Sequence, residues 1–363
     1  MCRLTSPEVH FPSDYRSARA AFLEACKTAN VGVTTRLHPS ALGTDCKSLF
    51  LDTAAVGPHE ATSALLLISG THGVEGYFGS GIQTGLLREG LAKRALQKSK
   101  IVLLHALNPF GFSWNRRVNE DNADVNRNFV DHRNPPSNEA YDSLADAIAP
   151  ADLSDAIFKA ANAKLRAYAE RNGDFALQAA ISSGQWRHDN GVYYGGAHDS
   201  WSARMLRDVF KEELVNVEQL TVIDFHTGLG NCGAAEMITE EVPGSAGYER
   251  AKSLWGESVA SSEAGESVSA PLNGTIDKAV AAWTAGKTLT FAALEVGTAP
   301  VREVFDALRR DNWLHAYGSM THAQAKAIKR QIRDAFYPDT ADWKRKVWDH
   351  AVNSVESAIA AIA

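Results

Sequence analysis

Four short runs of apolar residues predict buried strands. They read ALLLIS, IVLLHAL, LTVIDF and LTFAALEV, and they cover residues 64–69, 101–107, 220–225 and 289–296. Each run is rich in Leu, Ile or Val, which is typical of parallel strands that are covered on both faces. A further run, residues 47–54, also predicts a strand.

Segments with apolar residues at helical spacing separate these strands. Residues 14–28, 77–96, 152–172, 200–215 and 302–363 are predicted to be helical. Alternating strands and helices predict an α/β fold with a mixed, largely parallel central sheet flanked by helices on both faces. Because the chain shows no repeat and no linker, residues 1–363 are predicted to form a single elaborated domain, with an excursion over the sheet at about 131–215.

Composition and charge narrow the choice of partners. The 363 residues are 45% hydrophobic and 22% charged, which is typical of soluble globular proteins. A net charge of −6 argues against nucleic-acid binding. The N-terminal residues lack a secretory pattern, and no apolar segment approaches the ~20 residues that span a bilayer. We therefore expect a cytoplasmic protein without a membrane partner, and its oligomeric state stays open.

The cysteines support the same expectation. Cys2, Cys26, Cys46 and Cys232 are scattered along the chain without the spacing of a metal site or a disulfide-rich fold. Reduced thiols in a cytosol are the expected state.

Chemically active residues lie at or after the ends of the predicted strands, where the ligands of open α/β sheets bind. His72 and Glu75 form an H-x-x-E pair in a glycine-flanked turn directly after the first strand. Two His and one Glu are a recognised ligand set for catalytic zinc. Alternatively, His72 caps the following helix and Glu75 interacts with its dipole.

His226 is the natural third ligand. It ends the apolar strand LTVIDF and precedes the loop TGLG, whose glycines let the backbone approach a ligand. Asp224, two residues earlier, points to the same side of the strand and is a candidate to orient His226. A histidine whose hydrogen bonds are satisfied in the core is the alternative. The rivals His105 and His188 lack this combination of strand end and glycine loop.

An arginine-rich segment follows the second strand. Residues 108–129 include Arg116, Arg117, Asn126 and Arg127. A guanidinium group can bind a carboxylate through two hydrogen bonds, so these residues are candidates to bind an acidic substrate. Alternatively, Arg117 and Arg127 pair with Glu120, Asp121 or Asp124 to hold the segment together.

Glu295 lies inside the apolar run LTFAALEV. A carboxylate there is costly unless it is paired, bound to a metal or functional. Burial raises the pKa of a carboxyl group towards the range of a general base. A buried ion pair is the alternative.

The ordered combination of H-x-x-E, N-P-x-G, D-x-N-R-N-F, a strand-end His and a strand Glu resembles the zinc carboxypeptidase family M14, and most closely its DUF2817 branch. The resemblance covers roughly residues 65–298. It implies the fold of zinc carboxypeptidases and related phosphorylase/hydrolase-like proteins, and one Zn²⁺ per chain held by His72, Glu75 and His226. It also implies amide hydrolysis, in which Zn²⁺ and Glu295 activate a water molecule.

The resemblance further implies roles for the arginine-rich segment. Arg127 and Asn126 would hold the α-carboxylate of the substrate, and Arg117 would stabilise the oxyanion. The chain departs from the family in having no clear equivalent of its substrate-binding tyrosine. Tyr248 lies too far upstream of Glu295, and only Tyr193 and Tyr194 are candidates to replace it.

Three functions remain open from the sequence. The first is a metallopeptidase that cleaves a small peptide with a free carboxylate. The second is an N-acyl amino acid deacylase similar to aspartoacylase and succinylglutamate desuccinylase. The third is a non-catalytic protein that binds a metal or another ligand. Glu295 argues against the third, because binding alone does not require a costly carboxylate in an apolar strand.

Overall fold

The computed structural model describes residues 6–94 and 96–362. In this part of the chain, one eight-stranded sheet has the strand order β1-β2-β4-β3-β5-β8-β6-β7. The strands are β1 (Val33–Leu42), β2 (Ser48–Val56), β3 (Ser63–Ile68), β4 (Ser99–His105), β5 (Gln219–Gly228), β6 (Ala235–Thr239), β7 (Val259–Ser261) and β8 (Thr288–Gly297).

Helices surround the sheet. They are α1 (Tyr15–Thr28), α2 (Gly76–Arg88), α3 (Pro109–Trp114), α4 (Glu139–Ile148), α5 (Asp155–Asn172), α6 (Asp174–Ser182), α7 (Trp201–Glu213), α8 (Ala246–Trp255), α9 (Ile276–Trp283), α10 (Val301–Ala316), α11 (Ala325–Phe336) and α12 (Ala341–Ile362).

The sheet is mixed and mostly parallel, as predicted. Strands β4, β3, β5 and β8 are the four predicted apolar runs, and each is parallel to its neighbour among them. Strand β1 pairs antiparallel with β2, and β2 pairs antiparallel with β4. At the other side of the sheet, β6 pairs antiparallel with β8. Because parallel strands end at the same edge of the sheet, residues that follow β3, β4 and β5 come together there.

Apolar side chains cover both faces of the sheet. Leu65 and Leu67 pack on one face with side chains of α1, α2, α8 and α12. Leu66 and Ile68 pack on the other face with α7 and α9. This alternation along β3 explains why its sequence is continuously apolar, and it confirms the predicted arrangement of helices on both faces.

The structure differs from the sequence pattern at two helices. The helix predicted for residues 77–96 ends at Arg88, because Gly90 has a φ of +99°, a left-handed conformation that stops the helix. The predicted helical region 302–363 is three helices, α10, α11 and α12, separated by irregular segments at 317–324 and 337–340. Periodicity alone does not show such breaks.

The predicted excursion contains a separate small core. Helices α4, α5 and α6 pack together through Tyr141, Leu144, Leu165 and other apolar residues. Helix α7, by contrast, packs on the sheet through Leu206 and Val209. The excursion therefore consists of three helices that lie beside the sheet and one helix that covers it.

Two further observations concern the described residues only. None of their helices has the length and apolar character needed to cross a membrane. Cys26, Cys46 and Cys232 are free thiols, whereas Cys2 lies outside the described residues.

Candidate active site

The three predicted metal ligands lie together in the structure. His72 follows β3, Glu75 ends a short 3₁₀ helix (Gly73–Glu75) before α2, and His226 lies in β5. The Nδ1 atom of His72 is 3.0 Å from Glu75 Oε1, and the Nδ1 atom of His226 is 3.1 Å from Glu75 Oε2. The two Nδ1 atoms are 3.2 Å apart. All three side chains are buried, and we call them the ligand cluster.

A glycine makes this geometry possible. A Cβ atom at Gly73 would lie 2.0 Å from the backbone carbon of Gly111, far inside contact distance. The turn between β3 and α2 therefore packs directly on the backbone of α3. This close approach fixes the position of His72 and Glu75, which flank Gly73 and Val74.

Each histidine of the ligand cluster is backed by a buried carboxylate. His72 Nε2 donates to Asp124 Oδ1 over 3.0 Å, and His226 Nε2 donates to Asp224 Oδ2 over 2.8 Å. The Thr71 hydroxyl in turn donates to Asp224. A histidine that donates from Nε2 has, in its neutral form, a free lone pair on Nδ1. Two such lone pairs and a carboxylate then face one another, so the cluster requires a cation.

The pKa shifts of Glu75 and His226 agree with this arrangement. Burial alone lowers the pKa of His226, but Asp224 and Glu75 outweigh burial and raise it well above its usual value. Burial alone raises the pKa of Glu75, but His72 and His226 outweigh it and lower the net value. A proton or a metal ion can supply the positive charge. Two His nitrogens and one carboxylate, with carboxylates behind both histidines, fit a catalytic zinc site.

Glu295 lies beside the ligand cluster. The parallel register of β5 and β8 pairs His226 with Glu295. Glu295 Oε1 accepts a hydrogen bond of 2.9 Å from the backbone N–H of Leu229. Burial and the negative charge of Glu75 raise the pKa of Glu295 to about 7. At neutral pH this carboxyl group can therefore both accept and release a proton.

Arg117 is bound to the carboxylates around the cluster. Its Nε donates to Asp124 Oδ2 over 2.8 Å, and its Nη1 donates to Glu75 Oε1 over 3.3 Å. Burial lowers the pKa of Arg117, but Asp124 and other neighbours outweigh it and raise the net value. The pairing of Arg117 with Asp124 that the sequence left open as an alternative is therefore present.

Arg127 has different neighbours, although it is only 2% exposed. Its Nε and Nη2 donate to the carbonyl oxygen of Ser182, and its Nη1 donates to that of Asn126. Among residues 6–94 and 96–362, no carboxylate oxygen lies within 4.0 Å of this guanidinium group. Burial lowers the pKa of Arg127, the negative charge of Asp124 opposes this shift, and repulsion from Arg117 adds to it.

Asn126 is held in one orientation beside Arg127. Its Oδ1 accepts a hydrogen bond of 2.8 Å from the backbone N–H of Ile276, the first residue of α9. This bond assigns the Nδ2 group to the other side of the amide, where it can donate to a ligand.

One cavity of about 870 Å³ connects these groups. His72, Arg117, Asn126, Arg127, His226 and Glu295 line it. Glu75 lies behind the two histidines, where it also accepts from the backbone N–H of Thr227. The structure thus brings every predicted site residue to the cavity or into contact with its lining, while their roles stay predictions.

The rival histidines lie elsewhere. His105 is buried in the core, where its Nε2 bonds to Ser80 and its ring stacks on Phe22. His188 pairs with Asp142 near α4. Neither lines the cavity.

Sequence reasoning missed two contributors to the site. It treated Asp124 only as a partner of arginines, whereas Asp124 also holds His72. The signal was present, because Asp124 begins the D-x-N-R pattern. It gave Tyr193 no definite role, although its ring lies against both Arg117 and Arg127 in the cavity.

Several solved structures share parts of this architecture. Carboxypeptidase A from Helicoverpa armigera is 12% identical, with a TM-score of 0.48 over 96% of this chain and 74% of the other. A metallo-carboxypeptidase from Burkholderia cenocepacia is 10% identical, with a TM-score of 0.45 over 98% and 71%. An aspartoacylase family protein from Mesorhizobium loti is 17% identical, with a TM-score of 0.36 over 80% and 68%.

A search of curated proteins finds no match to this chain. A family model described as "Protein of unknown function (DUF2817)" matches residues 11–350. The match spans the ligand cluster, the arginine-rich segment and Glu295. The chain therefore belongs to the DUF2817 family, as its sequence pattern predicted.

Proposed function

We propose that this protein is a zinc-dependent hydrolase that cleaves an amide bond in a small substrate with a free carboxylate, in the manner of metallocarboxypeptidases. One observation carries the proposal. A single cavity brings together a ligand set suited to zinc, a buried carboxyl group beside it, and a buried arginine that has no described carboxylate oxygen within 4.0 Å. Each of these groups is costly to bury, and together they complete a hydrolytic site.

The ligand cluster, with His72, Glu75 and His226, would hold the zinc. When bound, Zn²⁺ supplies Lewis acidity, which lowers the pKa of water and polarises a carbonyl oxygen. Asp124 and Asp224 keep the two imidazole rings oriented, so their Nδ1 atoms are directed at a common point.

Glu295 is the proposed general base. The Leu229 N–H holds its Oε1 in place, and a pKa of about 7 suits proton transfer near neutral pH. In the proposed reaction, Glu295 accepts a proton from water as water attacks the amide carbon. It then returns the proton to the nitrogen that leaves.

The arginine-rich segment provides the substrate contacts. Arg127 and the Nδ2 group of Asn126 are proposed to bind the substrate carboxylate, which would give the Arg127 guanidinium a carboxylate in direct contact. The Arg117 Nη2 group makes no hydrogen bond to a described residue, and Arg117 lines the cavity. We assign it to the developing oxyanion.

The test of this mechanism is the Glu295→Gln variant. It should retain zinc but lose turnover by about 10²–10⁴-fold, which is the usual contribution of a general base. Glu236→Gln is a matched control, because Glu236 pairs with Glu295 across β6 and β8 but does not line the cavity. Turnover in Glu295→Gln at the rate of the wild-type protein would exclude Glu295 as the base.

The substrate screen should compare short peptides with N-acyl amino acids, each as the free acid and as the carboxamide. We expect peptide acids to be cleaved and carboxamides to be poor substrates. Cleavage of N-acyl amino acids alone would favour the deacylase. A zinc-loaded wild-type protein that cleaves neither class of compound would favour a binding function.

A further inference from the structure

Tyr193 occupies an unusual position in the cavity. It lies in the glycine-rich segment between α6 and α7, and its side chain lines the cavity. The Cζ atom of Arg117 is 5.0 Å from the centre of the Tyr193 ring, and that of Arg127 is 5.6 Å from it. Both distances are within the ~6 Å range of cation–π attraction. One ring therefore interacts with the two arginines assigned to the substrate.

The backbone holds this ring in a conformation that bulky residues rarely adopt. Tyr193 has a φ of +55°, in the left-handed region. Hydrogen bonds fix the segment on both sides: Gln185 N donates to Tyr193 O, Asp124 N donates to Tyr194 O, and the Tyr141 hydroxyl donates to Val192 O. A strained conformation persists only where its surroundings determine it, and such residues concentrate at functional sites.

The Tyr193 ring lies next to two positive charges. Arg117 and Arg127 are like charges that line one cavity. Burial and repulsion from Arg117 lower the pKa of Arg127, while the charge of Asp124 offsets them in part. Carboxylates partner Arg117, but no described carboxylate oxygen lies within 4.0 Å of the Arg127 guanidinium. The negative face of an aromatic ring attracts guanidinium groups without neutralising them. It can therefore stabilise two arginines together and still leave their charge available to an anion.

We infer that Tyr193 is a positioning residue whose ring holds the Arg117 and Arg127 guanidinium groups in place beside each other, so that Arg127 is positioned for the substrate carboxylate and Arg117 for the neighbouring oxyanion. The inference rests on the proposed function, because it assumes that this site binds a carboxylate. It assigns the effect to the ring and not to the hydroxyl group.

The experiment measures the affinity of the zinc-loaded protein for 3-phenylpropanoate and for the matching neutral amide by calorimetry. Tyr193→Leu should weaken binding of the acid about tenfold and leave binding of the amide almost unchanged. Tyr193→Phe keeps the ring and should restore the affinity to within about threefold of wild type. Tyr194→Phe is a matched control, since Tyr194 is adjacent but does not line the cavity.

A second series guards against a folding defect, because Tyr193 also packs on two apolar clusters. Phenylalanine derivatives with increasing numbers of ring fluorines can be incorporated at this position. They preserve the shape of the ring while they remove the negative charge of its face. The affinity for the acid should fall stepwise along the series if the ring acts on the arginines.

Three results would overturn the inference and leave the proposed function standing. Equal losses in Tyr193→Phe and Tyr193→Leu would assign the effect to the hydroxyl group. Parallel losses for acid and amide would indicate general damage to the cavity, and an unchanged affinity across the fluorinated series would exclude the ring. A wild-type protein that does not prefer the acid would instead refute the carboxylate site of the proposed function, and the inference with it.

Discussion

Arg117 and Arg127 lie ten residues apart in the chain and line the same cavity, but their surroundings differ. Arg117 binds the carboxylates of Glu75 and Asp124. Within residues 6–94 and 96–362, the hydrogen bonds of the Arg127 guanidinium go to the backbone carbonyl oxygens of Ser182 and Asn126. The first arginine is therefore part of a buried network of opposite charges. The second has no described carboxylate oxygen within 4.0 Å, and Asp124 and Glu240 act on it only from farther away.

The different partners predict that Arg117 contributes mainly to the stability of the fold and Arg127 mainly to substrate binding. A buried cation inside a charge network is needed to keep its partners stable, because its removal leaves carboxylates unpaired. A buried cation without a carboxylate partner costs stability and is explained by a ligand that brings the negative charge. We therefore expect the same substitution to reduce mainly stability at Arg117 and mainly substrate binding at Arg127.

The largest effect is expected for Arg117→Met. This variant leaves Asp124 and Glu75 without their cation, so it should lower the free energy of unfolding by about 3–5 kcal/mol. Chemical denaturation of the zinc-free protein measures the change. A loss below about 1 kcal/mol would show that Arg117 is not required by the charge network.

A smaller and different effect is expected for Arg127→Met. The variant should lower the free energy of unfolding by less than about 2 kcal/mol, because it removes an unpaired charge along with its hydrogen bonds. Substrate binding should suffer instead. Loss of charge-assisted hydrogen bonds of about 1.5–3 kcal/mol corresponds to a KM about 10–150 times higher for the acid.

The amide form of the same substrate is the control for Arg127→Met. Its KM should change little, because a carboxamide does not pair with a guanidinium group in the same way. An equal rise in KM for acid and amide would remove the distinction between the two arginines.

The smallest effect concerns Glu240, a neighbour whose charge acts on Arg127. Burial and Asp277 raise the pKa of Glu240 to about 8. Lys278 lies 3.0 Å away but is 45% exposed, so its attraction offsets burial only in part. Glu240 is thus mostly neutral below about pH 8 and negative above it. Its charge should then compete with the substrate carboxylate for Arg127.

We therefore expect KM for the acid to rise a few-fold as the pH increases through about 8. The Glu240→Gln variant cannot ionise and should show a flat profile over the same range. A rise of the same size in Glu240→Gln would assign the pH dependence to another group.

The sequence predicted the features of the site that depend on residues close together in the chain. Apolar runs marked β3, β4, β5 and β8, and the position of His72 and His226 at strand ends placed them near each other. The spacing of Asp224 and His226 on one strand also predicted their contact, because residues two apart in a strand share a face.

The rest depends on contacts between distant segments. Asp124 reaches His72 across 52 residues, and Tyr193 reaches Arg117 from a segment whose sequence indicates only a glycine-rich excursion. Whether an arginine meets a carboxylate or a backbone carbonyl is decided by tertiary packing. The resemblance gave Arg117 and Arg127 different roles, but nothing in the local sequence showed that their partners differ.

The central claim, that the ligand cluster holds zinc, is tested most directly by elemental analysis of the purified protein after incubation with zinc and dialysis. We predict about one zinc per chain in wild type, loss of zinc in His226→Ala, and retention in His188→Ala, whose histidine pairs with Asp142 outside the cavity. A wild-type protein that takes up no zinc, or a His226→Ala variant that keeps it, would contradict the claim.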